Sequence, residues 1–116
     1  MINSPIQIEE LLERVSGNRE FVIRMLELFF QSSDEKIATL NKAFENRNYS
    51  ELAEQAHKLK GLVGNLSINK ALDILRDLHL VAGIKNDVEI ARLLGLLEEA
   101  ISEARAFYQN DPFKTL

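Results

Sequence analysis

The residues best suited to chemistry lie together in the stretch Ala53-Glu54-Gln55-Ala56-His57-Lys58-Leu59-Lys60-Gly61-Leu62-Val63-Gly64-Asn65-Leu66. A helical advance of about 100° per residue puts Leu52, Ala56, Leu59, Val63 and Leu66 within about 40° of one line, an apolar seam. His57 falls about 140° round from Leu52, off that seam, with Gly64 at about 120° and Gly61 at about 180°. Imidazole titrates near neutrality, so its free ring nitrogen is a nucleophile at cellular pH and suits phosphoryl chemistry. Lys60, almost one turn further on, would bring an ammonium beside the oxygens of a group carried on the ring. Phosphoryl transfer depends mainly on positioning and on neutralising those oxygens. Each glycine inside a helix costs about 0.5–1 kcal/mol relative to alanine, so two on one flank need a reason. One reason is room for another molecule to approach His57. The other is that Gly61 caps the helix and Gly64-Asn65 forms a turn, leaving His57 a plain surface histidine and Lys60 a solvated lysine.

The elements that must hold these residues are all helical. Ser4-Pro5-Ile6-Gln7 reads as a helix start, with Ser4 as N-cap, Pro5 in the first turn and Gln7 completing a capping box. Ile8, Leu11, Leu12 and Val15 form its apolar face, and Ser16-Gly17 ends it. Asn18 caps the next helix, whose predicted seam is Ile23, Leu26, Phe30, Ser33, Ile37, Leu40 and Phe44, ending near Asn46-Arg47-Asn48. Asn48 and Glu51 make a second capping box before the histidine helix. After a break at Ser67-Ile68-Asn69, where Ser67 or Asn69 is the expected cap, Leu72, Leu75, Leu78 and Ala82 line a helix that runs to Gly83. Asn86 or Asp87 starts the last helix, lined by Ile90, Leu94, Leu97, Ile101, Ala104 and Tyr108 and stopped at Asn110-Asp111-Pro112. Short links make neighbouring helices antiparallel. The expected fold is all-α, an up-and-down four-helix bundle with a short additional N-terminal helix over one end.

The 116 residues suit a single domain spanning 1–116, its core about 4–109 and its tail 110–116. An apolar fraction of 46% excludes the disordered class, and no apolar run approaches the length of a membrane span. Zero cysteines exclude disulfides, thiolate metal sites and thiol nucleophiles. A net charge of −4 argues against a general nucleic-acid binder. Neither a Walker loop nor a dinucleotide fingerprint occurs, so an ATP-consuming enzyme is not expected. The opening Met-Ile-Asn-Ser-Pro carries no signal-peptide pattern, and the expected location is the cytoplasm. Met1 and a completed last helix favour a free-standing chain, and one apolar seam per helix favours a monomer.

His57-Lys58-Leu59-Lys60-Gly61 followed by Gly64-Asn65-Leu66 resembles the H-x-L-K-G signature of histidine-containing phosphotransfer (HPt) domains of two-component phosphorelays. The resemblance extends upstream through Arg19–Phe30 and Leu40…Asn48…Leu52…Ala56, and downstream through Leu72…Leu75…Leu78. It implies that His57 takes a phosphoryl group from an aspartate of one receiver domain and passes it to another. Lys60 matches the lysine that steadies the phosphoryl group, and Gly61 the glycine that lets a receiver approach. Lys58 and Gly64 would join the binding surface. The partners implied are receiver domains of a hybrid sensor kinase or a response regulator. The chain would be a phosphocarrier with no nucleotide site and no cofactor, magnesium belonging to the receiver.

Two positions depart from the family pattern. Ser67 stands where glycine is usual, a change expected to affect a helix kink and not the chemistry. His79 stands where Gln or Glu is common, a residue able to hydrogen-bond the acceptor ring. His79 is therefore either an orienter of His57 or a half-buried histidine bonded to a carbonyl. A metal pair with His57 is disfavoured for want of a third ligand. The rival reading of the whole chain is a helical interaction or dimerisation module with an incidental histidine.

Overall fold

A computed structural model describes residues 4–110. Five helices follow one another: α1 (Ile8–Arg14), α2 (Arg19–Glu45), α3 (Tyr49–Asn65), α4 (Asn69–Gly83) and α5 (Asp87–Gln109). The protein is all-α among the described residues. α2 packs on α3, α3 on α4, α4 on α5, and α5 closes the ring against α2. The cross-helix pairs run in opposite senses, with Phe30 on Tyr108 and Asp34 on Arg105, then Tyr49 near Lys85 and Gly64 near Leu72. This is an antiparallel four-helix bundle, measuring 44 × 24 × 22 Å with α1 at one end.

Three-residue links make the up-and-down path possible, and all three have the same construction. Arg47, Ser67 and Lys85 each adopt positive φ (52°, 55° and 56°) just after a helix end. The next amide in each case reaches back to a carbonyl of the last turn, Asn48 to Ala43, Ile68 to Val63 and Asn86 to Val81. Those bonds satisfy orphan carbonyls and reverse the chain at once. The residue after the left-handed one then caps the following helix. Asn18, Asn48 and Asn86 accept hydrogen bonds through their side chains from the amides of Phe21, Glu51 and Glu89.

Two expected caps are not formed. Ile68 occupies the cap position of α4 without a side-chain bond, in place of Ser67 or Asn69. Ile68 is fully buried, so core packing holds this corner. α1 starts at Ile8, not after Ser4; Gln7 sits at its cap position and donates from Nε2 to the Ser4 carbonyl. The Gln7 amide bonds the Ser67 carbonyl at 3.0 Å and Ile6 is fully buried, so tertiary contacts draw this segment out of helix.

The seams of α3 and α5 are buried as expected, except that Tyr108 is half-buried. In α2 the stripe is shifted: Val22, Phe29 and Ala43 are buried, whereas Ile23, Phe30 and Phe44 are half-buried. α2 lies between two neighbours, so its apolar stripe is wider than a single 3,4 series. In α4 likewise, Ala71 and Ile74 join Leu75, Leu78 and Ala82 in the core while Leu72 lies at its margin. Asp111 and Pro112, the expected stop, lie outside the described residues.

Candidate functional site

α3 is continuous from Tyr49 to Asn65, which rules out Gly61 as a cap and Gly64-Asn65 as a turn. Leu52, Ala56, Leu59 and Val63 anchor its inner face in the core. The outer face carries His57, which is exposed in mid-helix. One turn later Gly61 is also exposed, and a Cβ added there would meet nothing within 4 Å. The backbone beside His57 is thus open to an approaching surface.

Gly64 differs from Gly61. A Cβ there would lie 3.5 Å from the Leu72 side chain of α4, and its carbonyl accepts from Arg14 of α1 at 2.6 Å. A side chain at this position would meet Leu72 in ordinary contact, whereas one at Gly61 would enter open space. Ser67 follows in the left-handed conformation that explains a preference for glycine there. It sits at the turn that ends α3, not at a kink inside the helix. Its buried hydroxyl donates to the Glu10 carboxylate at 2.9 Å, which ties α1 to the turn.

His79 projects from α4 into the α3–α4 hairpin, half-buried at the level of His57. The two ring centroids are 5.8 Å apart with an interplanar angle of 46°, and no hydrogen bond joins them. His79 Nδ1 lies 3.1 Å from the Ala53 carbonyl, one turn before His57. A carbonyl only accepts, so Nδ1 carries the proton of this bond and the neutral ring keeps a free lone pair on Nε2. Of the two sequence readings of His79, the half-buried histidine bonded to a carbonyl is the one whose hydrogen bond is formed. The ring is also the neighbour of His57.

Lys60 is half-buried and has no ion pair among the described residues, so its ammonium is available to an anion. Lys58 pairs with Glu54 at 3.5 Å, but both side chains are well exposed and such a pair adds little stability. Lys58 also lines a groove between α2 and α3 with Lys36, Thr39, Gln55 and Leu62. Leu62 thus faces α2, on the flank away from His57. Among the described residues no group of three His, Cys, Asp or Glu side chains could hold a metal ion. No helix among the described residues is long and apolar enough to cross a membrane.

The structure brings together His57, Gly61 and His79, with Lys60 on the same helix. Sequence reasoning did not find Ala53 as a functional position, because its part is played by a backbone carbonyl. Nor did it find Arg14 and Glu10, whose contacts span the chain from α1 to the end of α3.

The structure is thus a four-helix bundle that displays one exposed histidine in mid-helix, with a bare glycine one turn beyond it and a lysine that is unpaired among the described residues. The Hpt domain family model matches residues 24–107, most of the chain from α2 to α5, and the chain belongs to that family. Hpt domains are histidine phosphotransfer modules of two-component systems that interact with receiver domains. Among curated proteins and among solved structures, none matches the chain.

Proposed function

We propose that this chain is a phosphocarrier in which His57 accepts a phosphoryl group from an aspartate of one receiver domain and returns it to an aspartate of another. The observation that carries the reading is the exposed His57 on an unbroken α3, with open space over Gly61 one turn beyond. A ring nitrogen attacks the phosphorus of the receiver's aspartyl phosphate; the P–O bond breaks and its electron pair leaves on the aspartate oxygen. Lys60, which has no carboxylate partner among the described residues, offsets charge on the phosphoryl oxygens. Gly61 lets the receiver surface approach closely, and Lys58 with the adjoining α2–α3 groove contributes polar contacts.

The chain brings no nucleotide site and no cofactor to this reaction, and magnesium is held by the receiver. Its place is the cytoplasm, where it acts as a monomer and a phosphocarrier without enzymatic turnover of its own. The test is incubation with phosphorylated receiver domains, followed by assay of acid-labile phosphate on the chain. Label that appears on wild type and not on His57→Gln supports the reading. Label retained by His57→Gln overturns it.

A further inference from the structure

A phosphoryl group carried on His57 would bring a charge of about −1.5 to −2 to the flank between α3 and α4. The charged and titratable groups around that point come from those two helices. From α3, Lys60 shares the flank, while Glu54, one turn before His57, is paired with Lys58 at 3.5 Å. From α4, His79 faces the His57 ring at 5.8 Å, and Arg76, one turn earlier, is paired with Asp73 at 3.3 Å. α4 meets α5 through its opposite flank, where Lys70 binds Glu103 at 3.4 Å, and α2 lies diagonally across the bundle.

Of these side chains only imidazole changes its charge near neutrality, and the His57 ring is the one that carries the phosphoryl group. His79 Nδ1–H is held by the Ala53 carbonyl at 3.1 Å, so the neutral ring has only the Nε2 lone pair to present to the flank. A lone pair repels the oxygens of a phosphoryl group, whereas a charged N–H binds them. In the unphosphorylated chain, Lys60 and Arg76 oppose a second proton on the ring. A phosphoryl dianion reverses that balance. At 5.8 Å, even with the dielectric of water, two negative charges raise the proton affinity of an imidazole about tenfold.

We propose that His79 is a proton-dependent phosphoryl ligand: when His57 is phosphorylated, Nε2 of His79 takes up a proton and donates it to a phosphoryl oxygen, holding the group together with Lys60. The inference rests on His57 as the phosphoryl acceptor and adds a proton to its reaction. The N–P bond forms as the P–O bond to the donor aspartate breaks, the electron pair staying on the carboxylate, and one proton moves from solvent to Nε2. On return to a second aspartate the N–P bond breaks, its pair stays on His57, and the Nε2 proton goes back to solvent. A glutamine at this position can donate a hydrogen bond but takes up no proton, so the coupling belongs to the histidine. A state that binds an extra proton is favoured as pH falls. The phosphoryl group is therefore retained on the chain at lower pH and passed to a receiver more readily at higher pH.

The experiment labels the imidazoles with ¹⁵N, phosphorylates His57 with phosphoramidate, and follows both His79 nitrogens by NMR from about pH 5 to about pH 9, before and after. Nε2 of His79 should keep its proton to a pH about one unit higher in the phosphorylated chain, and His57→Gln treated in the same way should show no change. In parallel, the equilibrium of phosphoryl exchange with one receiver is measured in wild type and His79→Gln, so that the receiver's own pH dependence cancels. Between about pH 8 and about pH 6 that equilibrium should move toward the phosphorylated chain about tenfold further in wild type than in His79→Gln. An identical His79 titration with and without the phosphoryl group overturns the proposal, and so does an equal pH dependence of exchange in the two proteins. If phosphoramidate labels His57 and His79 gains its proton, but no receiver exchanges phosphate with the chain, the phosphoryl ligand stands and the phosphocarrier function fails.

Discussion

The seam between α2 and α5 and the flank between α3 and α4 both place polar side chains beside a helix contact, yet they treat them in opposite ways. At the first, Ser33 is fully buried; its hydroxyl donates to the Phe30 carbonyl at 3.3 Å and receives from Arg105 at 2.6 Å. Arg105 also holds Asp34 at 2.8 Å and lies over the Phe30 ring, which packs on Tyr108. Nearly every donor and acceptor there has a partner, as burial requires. At the second, His57 and Lys60 have none among the described residues, His79 has one nitrogen engaged, and Gly61 presents bare backbone. Polar groups satisfied within the protein contribute to the fold. Those left unsatisfied at the surface are the ones able to bind and react.

That contrast breaks most sharply at His57. His57→Gln should abolish phosphoryl uptake altogether while stability changes by about 0.5 kcal/mol or less, since nothing in the fold depends on the ring. A large fall in melting temperature would place His57 with the structural group instead.

The two glycines of α3 sharpen the division within one helix. Gly61→Gln should raise helix stability by about 0.5–1 kcal/mol through propensity alone. It should also slow transfer about tenfold, the equivalent of about 1.4 kcal/mol on the barrier, because a long side chain fills the open approach to His57. Gly64→Gln should gain less stability than Gly61→Gln, because its side chain starts in contact with Leu72 of α4 and loses rotamer freedom that open space would allow. Melting curves set beside transfer rates distinguish the two. A Gly64→Gln protein stabilised more than Gly61→Gln would contradict this order.

On the opposite face, Arg105→Ala should destabilise the bundle by about 1 kcal/mol, less than a fully buried charged hydrogen bond because the guanidinium is partly solvated. Transfer to His57 should be unchanged. If its rate falls with that of uptake, the two faces are coupled and the contrast fails.

The smallest effect belongs to Tyr49 at the far end of α3. Its hydroxyl donates to Asp87 at 2.6 Å, and this bond, followed by burial and the Asp87 charge, raises its ionisation above the ordinary tyrosine range, with Arg47 opposing. A native value above the unfolded one means the native state keeps the proton longer. The stabilisation is therefore complete below about pH 10 and is lost as pH rises through the native value. An alkaline spectrophotometric titration should show a tyrosine ionising above the ordinary range of about 10, and Tyr49→Phe should remove that step. Loss of an ordinary step near pH 10 in Tyr49→Phe would count against it.

Much of the fold was legible because helical order is local. The Asn caps at 18, 48 and 86 announce their helices through short-range bonds, and the α3 seam of Leu52, Ala56, Leu59 and Val63 repeats at helical spacing. The same arithmetic set His57 apart from the core. Misreadings fall where distant contacts decide. Ser4 looked like a cap, but Ile6 goes to the core and the Gln7 amide to Ser67. Phe30 and Phe44 looked like core, but α2 turns Phe29 and Ala43 inward because it must face both α3 and α5.

By itself, then, the sequence determined which residues are helical, which face of α3 is apolar, and that an imidazole, an ammonium and a bare glycine share the remaining surface. These depend only on φ and ψ repeating every residue, with side chains about 100° apart. Tertiary structure alone decided which side chain stands opposite which. The antiparallel register of α3 and α4 puts His79 at the level of His57 and Leu72 under Gly64, and it leads the His79 proton to the carbonyl of Ala53. No periodicity within one helix contains that information, because register is set by how the cores of two helices interlock and by the three-residue turn that joins them.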